Sequence, residues 1–147
     1  MKRWLAGALA LVALGLLMVA TKHPDLTFCR GLDLAREADV RAAVAEYART
    51  LEPHPEFYFS EEAAARAILF FPMYCRFTAG PKAGRPFVLQ PWQAFEIIAP
   101  VFGWRCDDGT RRYRRASIWL PRKNGKTELM AGTALQHLLE RAIDVGQ

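Results

Sequence analysis

The chain has 147 residues, a hydrophobic content of 52% and a formal net charge of +5. This length suits a single domain, and the hydrophobic content excludes an intrinsically disordered chain. The three cysteines are far apart in the sequence, so their spacing suggests neither a metal knuckle nor a redox pair, and the histidines are equally scattered. An odd number of widely spaced cysteines is typical of a reduced, cytosolic domain.

The N-terminus carries an apolar stretch. Residues 4–20 contain no charged side chain and follow Lys2 and Arg3. A membrane-spanning helix needs about 17–25 apolar residues, so the stretch is at the short end of that range. A cleaved signal peptide has the same basic start, although the cleavage pattern here is poor. The third interpretation is a core helix or sequence from outside the ancestral domain. We expect residues 1–22 to form an apolar helix, either transmembrane or signal, and residues 23–147 to form the domain.

Three helices are predicted in the first part of the domain. Apolar side chains recur at helical spacing over residues 33–52, and Pro53 ends that helix. Ser60 is the expected N-cap of a second helix over residues 61–71, because acidic residues follow it in the first turn. A third helix over residues 91–101 has a proline in its first turn, where proline is well tolerated.

The second part of the domain is predicted to begin with strands. Residues 104–106 and 113–120 are expected strands, and residues 107–110 are an Asp-Asp-Gly-Thr turn suited to a β-hairpin. A helix over residues 128–142 follows. The order is therefore strand, glycine-containing loop, helix.

The loop between that strand and that helix holds a phosphate-loop pattern. Gly125, Lys126 and Thr127 match the second half of G-x-x-x-x-G-K-[ST], whereas Leu120 occupies the position of the first glycine. The whole segment reads Leu120-Pro121-Arg122-Lys123-Asn124-Gly125-Lys126-Thr127.

Each residue of this pattern has a physical role in binding phosphate. Gly125 lets the backbone approach the anion, and the amides at the helix N-terminus point at it. Lys126 supplies a positive charge to the outer phosphates, and the Thr127 hydroxyl can ligate Mg²⁺. The alternative is a basic turn that caps a surface helix, in which Asn124 and Gly125 are only turn formers.

Positive charge is concentrated around this loop. A basic cluster of this kind suits a polyanion such as nucleotide phosphate or nucleic acid, and the alternative is a solvated basic surface. Its members are Arg105, Arg111, Arg112, Arg114, Arg115, Arg122, Lys123 and Lys126.

Residues 89–135 resemble the N-terminal part of the ATPase domain of phage terminase large subunits, the motors that package DNA into capsids. In that family the first glycine of the loop is commonly missing, so Leu120 fits the resemblance. It rests on Leu89-Gln90-Pro91-Trp92-Gln93, Phe102-Gly103-Trp104, Arg112-Tyr113-Arg114-Arg115-Ala116 and Pro121-Arg122-Lys123-Asn124-Gly125-Lys126-Thr127.

The resemblance implies an α/β fold, namely a partial P-loop NTPase domain made of N-terminal helices, a β-hairpin and a strand–P-loop–helix unit. It implies ATP and Mg²⁺ as cofactors. Gln93 would recognise adenine, or else simply cap a helix, and Arg122 would stabilise transition-state charge. Catalytic roles would fall to Arg122 and Lys126. Cofactor contacts would come from Gln93, Arg122, Asn124, Gly125, Lys126 and Thr127, with Thr127 as the Mg²⁺ ligand.

The family also implies partners, which are double-stranded DNA and either the capsid portal or the small terminase subunit, and a cytoplasmic location. However, the sequence contains no hydrophobic strand that ends in Asp-Glu and no nuclease motif. These absences and the apolar N-terminus indicate a fragment, a degenerate prophage gene or a mis-set reading frame. We expect weak nucleotide binding at most, and no turnover by this chain alone.

Two alternatives to a nucleotide-binding function stay open. The chain could be a small membrane-anchored protein, held through residues 4–20, whose basic loop binds nucleic acid or anionic lipid. It could also lack an independent function, because the strand over residues 113–120 would need parallel neighbours in order to fold.

Overall fold

The computed structural model describes residues 16–18, 26–121 and 124–145, and it describes side chains over 26–121 and 124–140. The fold is mixed α/β. Its elements, in chain order, are β1 (Leu16–Met18), a 3-10 turn (Leu26–Cys29), α1 (Glu37–Arg49), β2 (Phe57–Phe59), α2 (Glu61–Tyr74), a π-helical segment (Gln93–Ile98), α3 (Ala99–Gly103), β3 (Trp104–Cys106), β4 (Arg115–Ser117) and α4 (Lys126–Val145).

Helix α1 is shorter than the helix predicted over residues 33–52. The Asp33 side chain accepts a hydrogen bond from the Ala35 backbone N–H at 2.9 Å, and this local bond holds a turn in place of a first helical turn. The helix therefore starts at Glu37. Its buried residues, which pack against α2, are Val40, Ala43, Val44 and Tyr47.

Helix α2 begins as the sequence predicts. The Ser60 hydroxyl accepts a hydrogen bond from the Ala63 backbone N–H at 3.2 Å, so Ser60 is confirmed as the N-cap. Almost every residue of the helix between Ala63 and Pro72 is buried, because α2 contacts both α1 and α3. A helix that is apolar on most of its circumference belongs in the centre of a domain.

The π-helical segment and α3 form one continuous helical stretch that contains Pro100. Proline has no N–H, and its ring would collide with the carbonyl of Glu96, four residues earlier, in a regular α-helix. The wider turn relieves this conflict, since the Ala99 N–H bonds to the Ala94 carbonyl, five residues back. The predicted helix over residues 91–101 is thus present, with a widened turn that the sequence pattern did not indicate.

The predicted β-hairpin is only partly correct. The turn over residues 107–110 is present, with Gly109 at a φ of 77°, and a single bridge joins Arg105 to Arg111. However, β3 takes β2 as its antiparallel partner, with Phe59 paired to Trp104. Gly103 permits this arrangement, because a Cβ atom there would lie 2.3 Å from the Phe59 ring.

The predicted apolar N-terminal helix is wrong for the part that the structure describes. Leu16–Met18 is a strand, β1, and it pairs in parallel with β4, with Leu16 opposite Arg115. The remainder of residues 1–22 lies outside the described residues. Over the part of the chain that is described, no helix has both the length and the apolar character needed to cross a membrane.

Helix α4 packs on α2 through one narrow face. Leu129 is fully buried, and Gly132 lies so close to Phe71 that a Cβ atom there would stand 2.5 Å from the ring. The opposite side of the helix carries exposed leucines, Leu135, Leu138 and Leu139. Within the described part of the chain, the helix is therefore supported on one side and uncovered on the other.

Candidate functional site

The loop that carries the phosphate pattern lies between β4 and α4. Ile118 and Leu120 are partly buried against the core and fix the start of the loop. Gly125 ends it, with a φ of 66°, and its carbonyl accepts the Leu129 N–H at 3.0 Å. Gly125 is thus the residue immediately before the first helical turn. It adopts the left-handed conformation that other residues take only with strain.

Three of the predicted ligand residues are exposed at this helix start. Asn124, Lys126 and Thr127 are all accessible to solvent. The first backbone N–H groups of an α-helix have no partner within the helix, and the helix dipole favours negative charge there. Lys126 and Thr127 are the first residues of this helix, so one cation and one hydroxyl are available at the same helix end as these amides. This combination of donors suits a phosphate group.

Gln93 comes to the same place from the π-helical segment, although it is far away in the sequence. Its side chain is only 4% exposed. Its Nε2 atom lies 3.8 Å from the point that a Cβ atom on Gly125 would occupy. The structure therefore brings together two residues that the sequence linked only through the family resemblance.

The other end of the Gln93 carboxamide already has a partner. The Oε1 atom accepts a hydrogen bond from the Gln90 backbone N–H at 2.9 Å. This is the backward capping bond that a glutamine makes at the third helical position. The capping role that the sequence left open is thus present. The amino group and the second lone pair of Oε1 are the features with which Gln93 could meet a base.

Arg122 and Lys123 lie outside the described residues, so the catalytic and phosphate-binding roles predicted for Arg122 stay predictions. The other five residues of the predicted site lie in one region, where the N-terminus of α4 faces the start of the π-helical segment. The remaining five are Gln93, Asn124, Gly125, Lys126 and Thr127.

The arginines of the basic cluster differ in their surroundings, since some are packed against aromatic rings and others are exposed to solvent. Arg112 is half-buried, and its guanidinium lies over the rings of Phe57 at 4.1 Å, Tyr113 at 5.0 Å and Trp104 at 5.4 Å. A guanidinium packed among aromatic rings is a structural group that is not available to a ligand. By contrast, Arg114 and Arg115 are exposed, and they remain available to an anion.

Arg111 is also packed inward, against a residue that the sequence did not single out. Its guanidinium contacts the His137 ring on α4 and lies 5.6 Å from the Phe102 ring centre. Burial, and then the positive charge of Arg111, lower the pKa of His137 below its usual value of 6.5. His137 thus connects α4 to the segment before β4. The only sequence signal for it is its position two helical turns after Leu129.

A cavity of about 170 Å³ lies between β4 and α4. Its walls come from three places, the π-helical segment with α3, the β4 region, and the side of α4 that carries Met130, Thr133 and His137. The lining is mainly apolar. It is therefore a gap in the packing between these elements and is unsuited to a phosphate.

Mg²⁺ is a predicted cofactor, so the described side chains are expected to include groups that could bind it. Among residues 26–121 and 124–140, no group of three or more His, Cys, Asp or Glu side chains is placed to hold a metal ion. The donors at the α4 N-terminus fit phosphate oxygens, and Thr127 offers one hydroxyl. A magnesium ion would therefore be held mainly by the phosphates of a nucleotide, with Thr127 as its protein ligand.

Comparison with known proteins does not extend this description. No protein-family model, no curated protein and no solved structure matches the chain.

Proposed function

We propose that this chain binds the phosphates of ATP at the N-terminus of α4. In this proposal it corresponds to the ATP-binding portion of a terminase large subunit, the motor that packages viral DNA. The observation that carries the proposal is the left-handed Gly125, which starts α4 beside the buried Gln93 amide. A strand, a loop with glycine at its end and a helix with lysine and threonine in its first turn form the arrangement that phosphate binding requires.

The proposal includes binding without turnover. Hydrolysis needs a carboxylate that holds the metal ion and positions the attacking water, and the sequence has no hydrophobic strand that ends in Asp-Glu. Double-stranded DNA and the portal or small subunit would be partners of the whole motor. The exposed arginines Arg114 and Arg115 are available to meet DNA.

Calorimetric titration with Mg·ATP tests the phosphate site. We expect weak binding by the native chain and a loss of about 10- to 100-fold in Lys126→Ala, because one charge-assisted contact contributes roughly 1.5–3 kcal/mol. Lys82→Ala is the matched control, since Lys82 is exposed and packs against Phe77, away from the loop. Equal affinities of Lys126→Ala and the native chain would remove the basis of the proposal.

A second variant tests the role of Gln93. Glu in its place keeps an oxygen that can accept the Gln90 N–H, but it loses the amino group that faces Gly125. We expect Gln93→Glu to fold normally and to lose any preference for ATP over GTP. If the preference is unchanged, then Gln93 is only a helix cap.

The membrane-anchored alternative has less support from the geometry. Because Leu16–Met18 pairs with β4, only residues 4–15 of the apolar stretch remain for a membrane span. That length is below the minimum of about 17 residues for a spanning helix. ATPase measurement on the native chain completes the test. Turnover that disappears in Lys126→Ala would mean that the chain contains a catalytic acid we have not recognised.

A further inference from the structure

Helix α4 has an apolar face that the described residues leave uncovered. The exposed fractions of Leu135, Leu138 and Leu139 are 42%, 67% and 44%. Ala131 and Ala134 continue the same face one helical turn earlier and are also exposed. The buried face, with Leu129 and Gly132, lies on the other side of the helix. A helix that is apolar on both sides is normally covered on both sides.

The direction of the elements shows where this face lies. Helix α4 follows β4 after a short loop and runs back beside it, since Met130 lines the same cavity as Ile118. The contact between His137 and Arg111 holds the C-terminal half of α4 next to the chain segment that leads into β4. The exposed leucines are therefore near the end of the sheet at which β4 begins.

Strand β1 starts at that same end. It is parallel to β4, and Leu16 pairs with Arg115, the first residue of β4. Leu16 therefore lies at the end of the sheet that is nearest to the leucine-bearing half of α4. The segment that precedes Leu16 is entirely apolar from residue 4 onward.

We propose that residues 4–14 pack on the face formed by Ala131, Ala134, Leu135, Leu138 and Leu139. The distance is feasible. From Ala131 to Leu139 the face is about 12 Å long, at 1.5 Å per helical residue. Eleven residues span roughly 16 Å as a helix and up to about 36 Å when extended, so either conformation reaches across the face.

This packing removes two apolar surfaces from water in a single step. The segment is joined to β1, so the effective concentration of the segment at the α4 face is high, and a second copy or a membrane must compete with an intramolecular contact. In this arrangement the N-terminal segment completes the domain, and it supports the helix that carries the phosphate loop. The inference does not depend on nucleotide binding.

Disulfide trapping in the full-length chain tests the proposal. In a background with Cys29→Ala, Cys75→Ala and Cys106→Ser, Leu138→Cys is combined in turn with Ala8→Cys, Leu9→Cys, Ala10→Cys and Leu11→Cys, so that all sides of the segment are sampled. We expect at least one of these pairs to give a monomeric cross-linked product on mild oxidation at low protein concentration. The control replaces Leu138→Cys by Arg49→Cys, an exposed position at the end of α1, and should give none.

A second measurement keeps the result informative if the cysteine variants fold poorly. Leu138→Lys places a charge on the proposed contact, and we expect it to increase the fluorescence of a dye that binds exposed apolar surface, with unchanged circular dichroism. Ala42→Lys, at an exposed position of α1, should leave the fluorescence unchanged.

Three results would overturn the proposal. A cross-linked dimer would identify a second copy as the occupant of the face. Partition of the native chain into phosphatidylcholine vesicles, with the segment protected from protease, would identify a membrane. A folded chain without any cross-link at Leu138, and without a dye response in Leu138→Lys, would mean that residues 4–14 do not cover α4.

Discussion

The helical half of the domain, from the 3-10 turn to α3, and the loop half, formed by β4 and α4, are stabilised in different ways. In the helical half the largest side chains are fully buried, with Phe95 in edge-to-face contact with Phe28 at 5.1 Å. In the loop half the described residues contact only one face of α4, and Trp119, in the loop after β4, is 93% exposed. Opening is easiest where few apolar contacts exist, so we expect the candidate site to open at a lower free energy than the core.

The sharpest test of this difference compares one buried ring with one exposed leucine. Phe95→Ala should lower the free energy of unfolding by about 3–5 kcal/mol, because it leaves a cavity among Phe28 and Tyr47. Leu138→Ala should lower it by about 2 kcal/mol, because the proposed packing of residues 4–14 buries this leucine. Urea denaturation followed by circular dichroism measures both. A loss of less than about 0.5 kcal/mol in Leu138→Ala would mean that the leucine face is open to solvent and that residues 4–14 do not cover it.

The contact between the two halves can be broken at Gly132. Gly132→Ala places a methyl group 2.5 Å from the Phe71 ring, and we expect it to cost about 1–3 kcal/mol, despite the better helix propensity of alanine. Phe71→Leu removes the edge of the ring and makes room for the methyl group. The double variant should therefore lose less free energy of unfolding than the sum of the losses in the two single variants. Strict additivity in urea denaturation would show that the two residues are not in contact in solution.

The smallest expected effect is a dependence of stability on pH through His137. The pKa of this histidine is lowered in the folded chain, first by burial and then by Arg111, so the unfolded chain takes up the proton first as the pH falls below 6.5. Stability should therefore decrease as the pH falls from 6.5 to the folded pKa, and then become constant for this group. Above 6.5 the histidine is neutral in both states and contributes no slope.

His137→Gln removes this titration, and its unfolding curves between pH 5 and 7 should be flatter than those of the native chain. Arg111→Gln removes the positive neighbour and should raise the pKa of His137 toward its usual value, which NMR of the imidazole protons can follow. If the native chain and His137→Gln show the same pH dependence, the contact between α4 and Arg111 does not affect folding.

Much of the helical half is predictable from local sequence. Ser60 caps α2 because its hydroxyl reaches an N–H three residues later, and this requires nothing beyond the neighbouring backbone. The turn over residues 107–110 is equally local. The strand partners are not, because β3 pairs with β2 across many intervening residues, and the sequence gives no signal for that pairing. Within the apolar N-terminus, Leu16–Met18 is a strand where a helix was predicted, since composition alone does not distinguish a helix from a strand.

For the candidate site, the sequence by itself determined the local chemistry, because glycine, lysine and threonine at a helix start have fixed conformational and hydrogen-bonding properties. It also determined where α2 and α4 would form, since helix periodicity and capping act over a few residues. The tertiary structure alone decided that Gln93 faces Gly125, that Arg111 and Arg112 are packed inward, and that β1 joins β4. These are contacts between residues far apart in the chain, and they depend on how the apolar faces fit together.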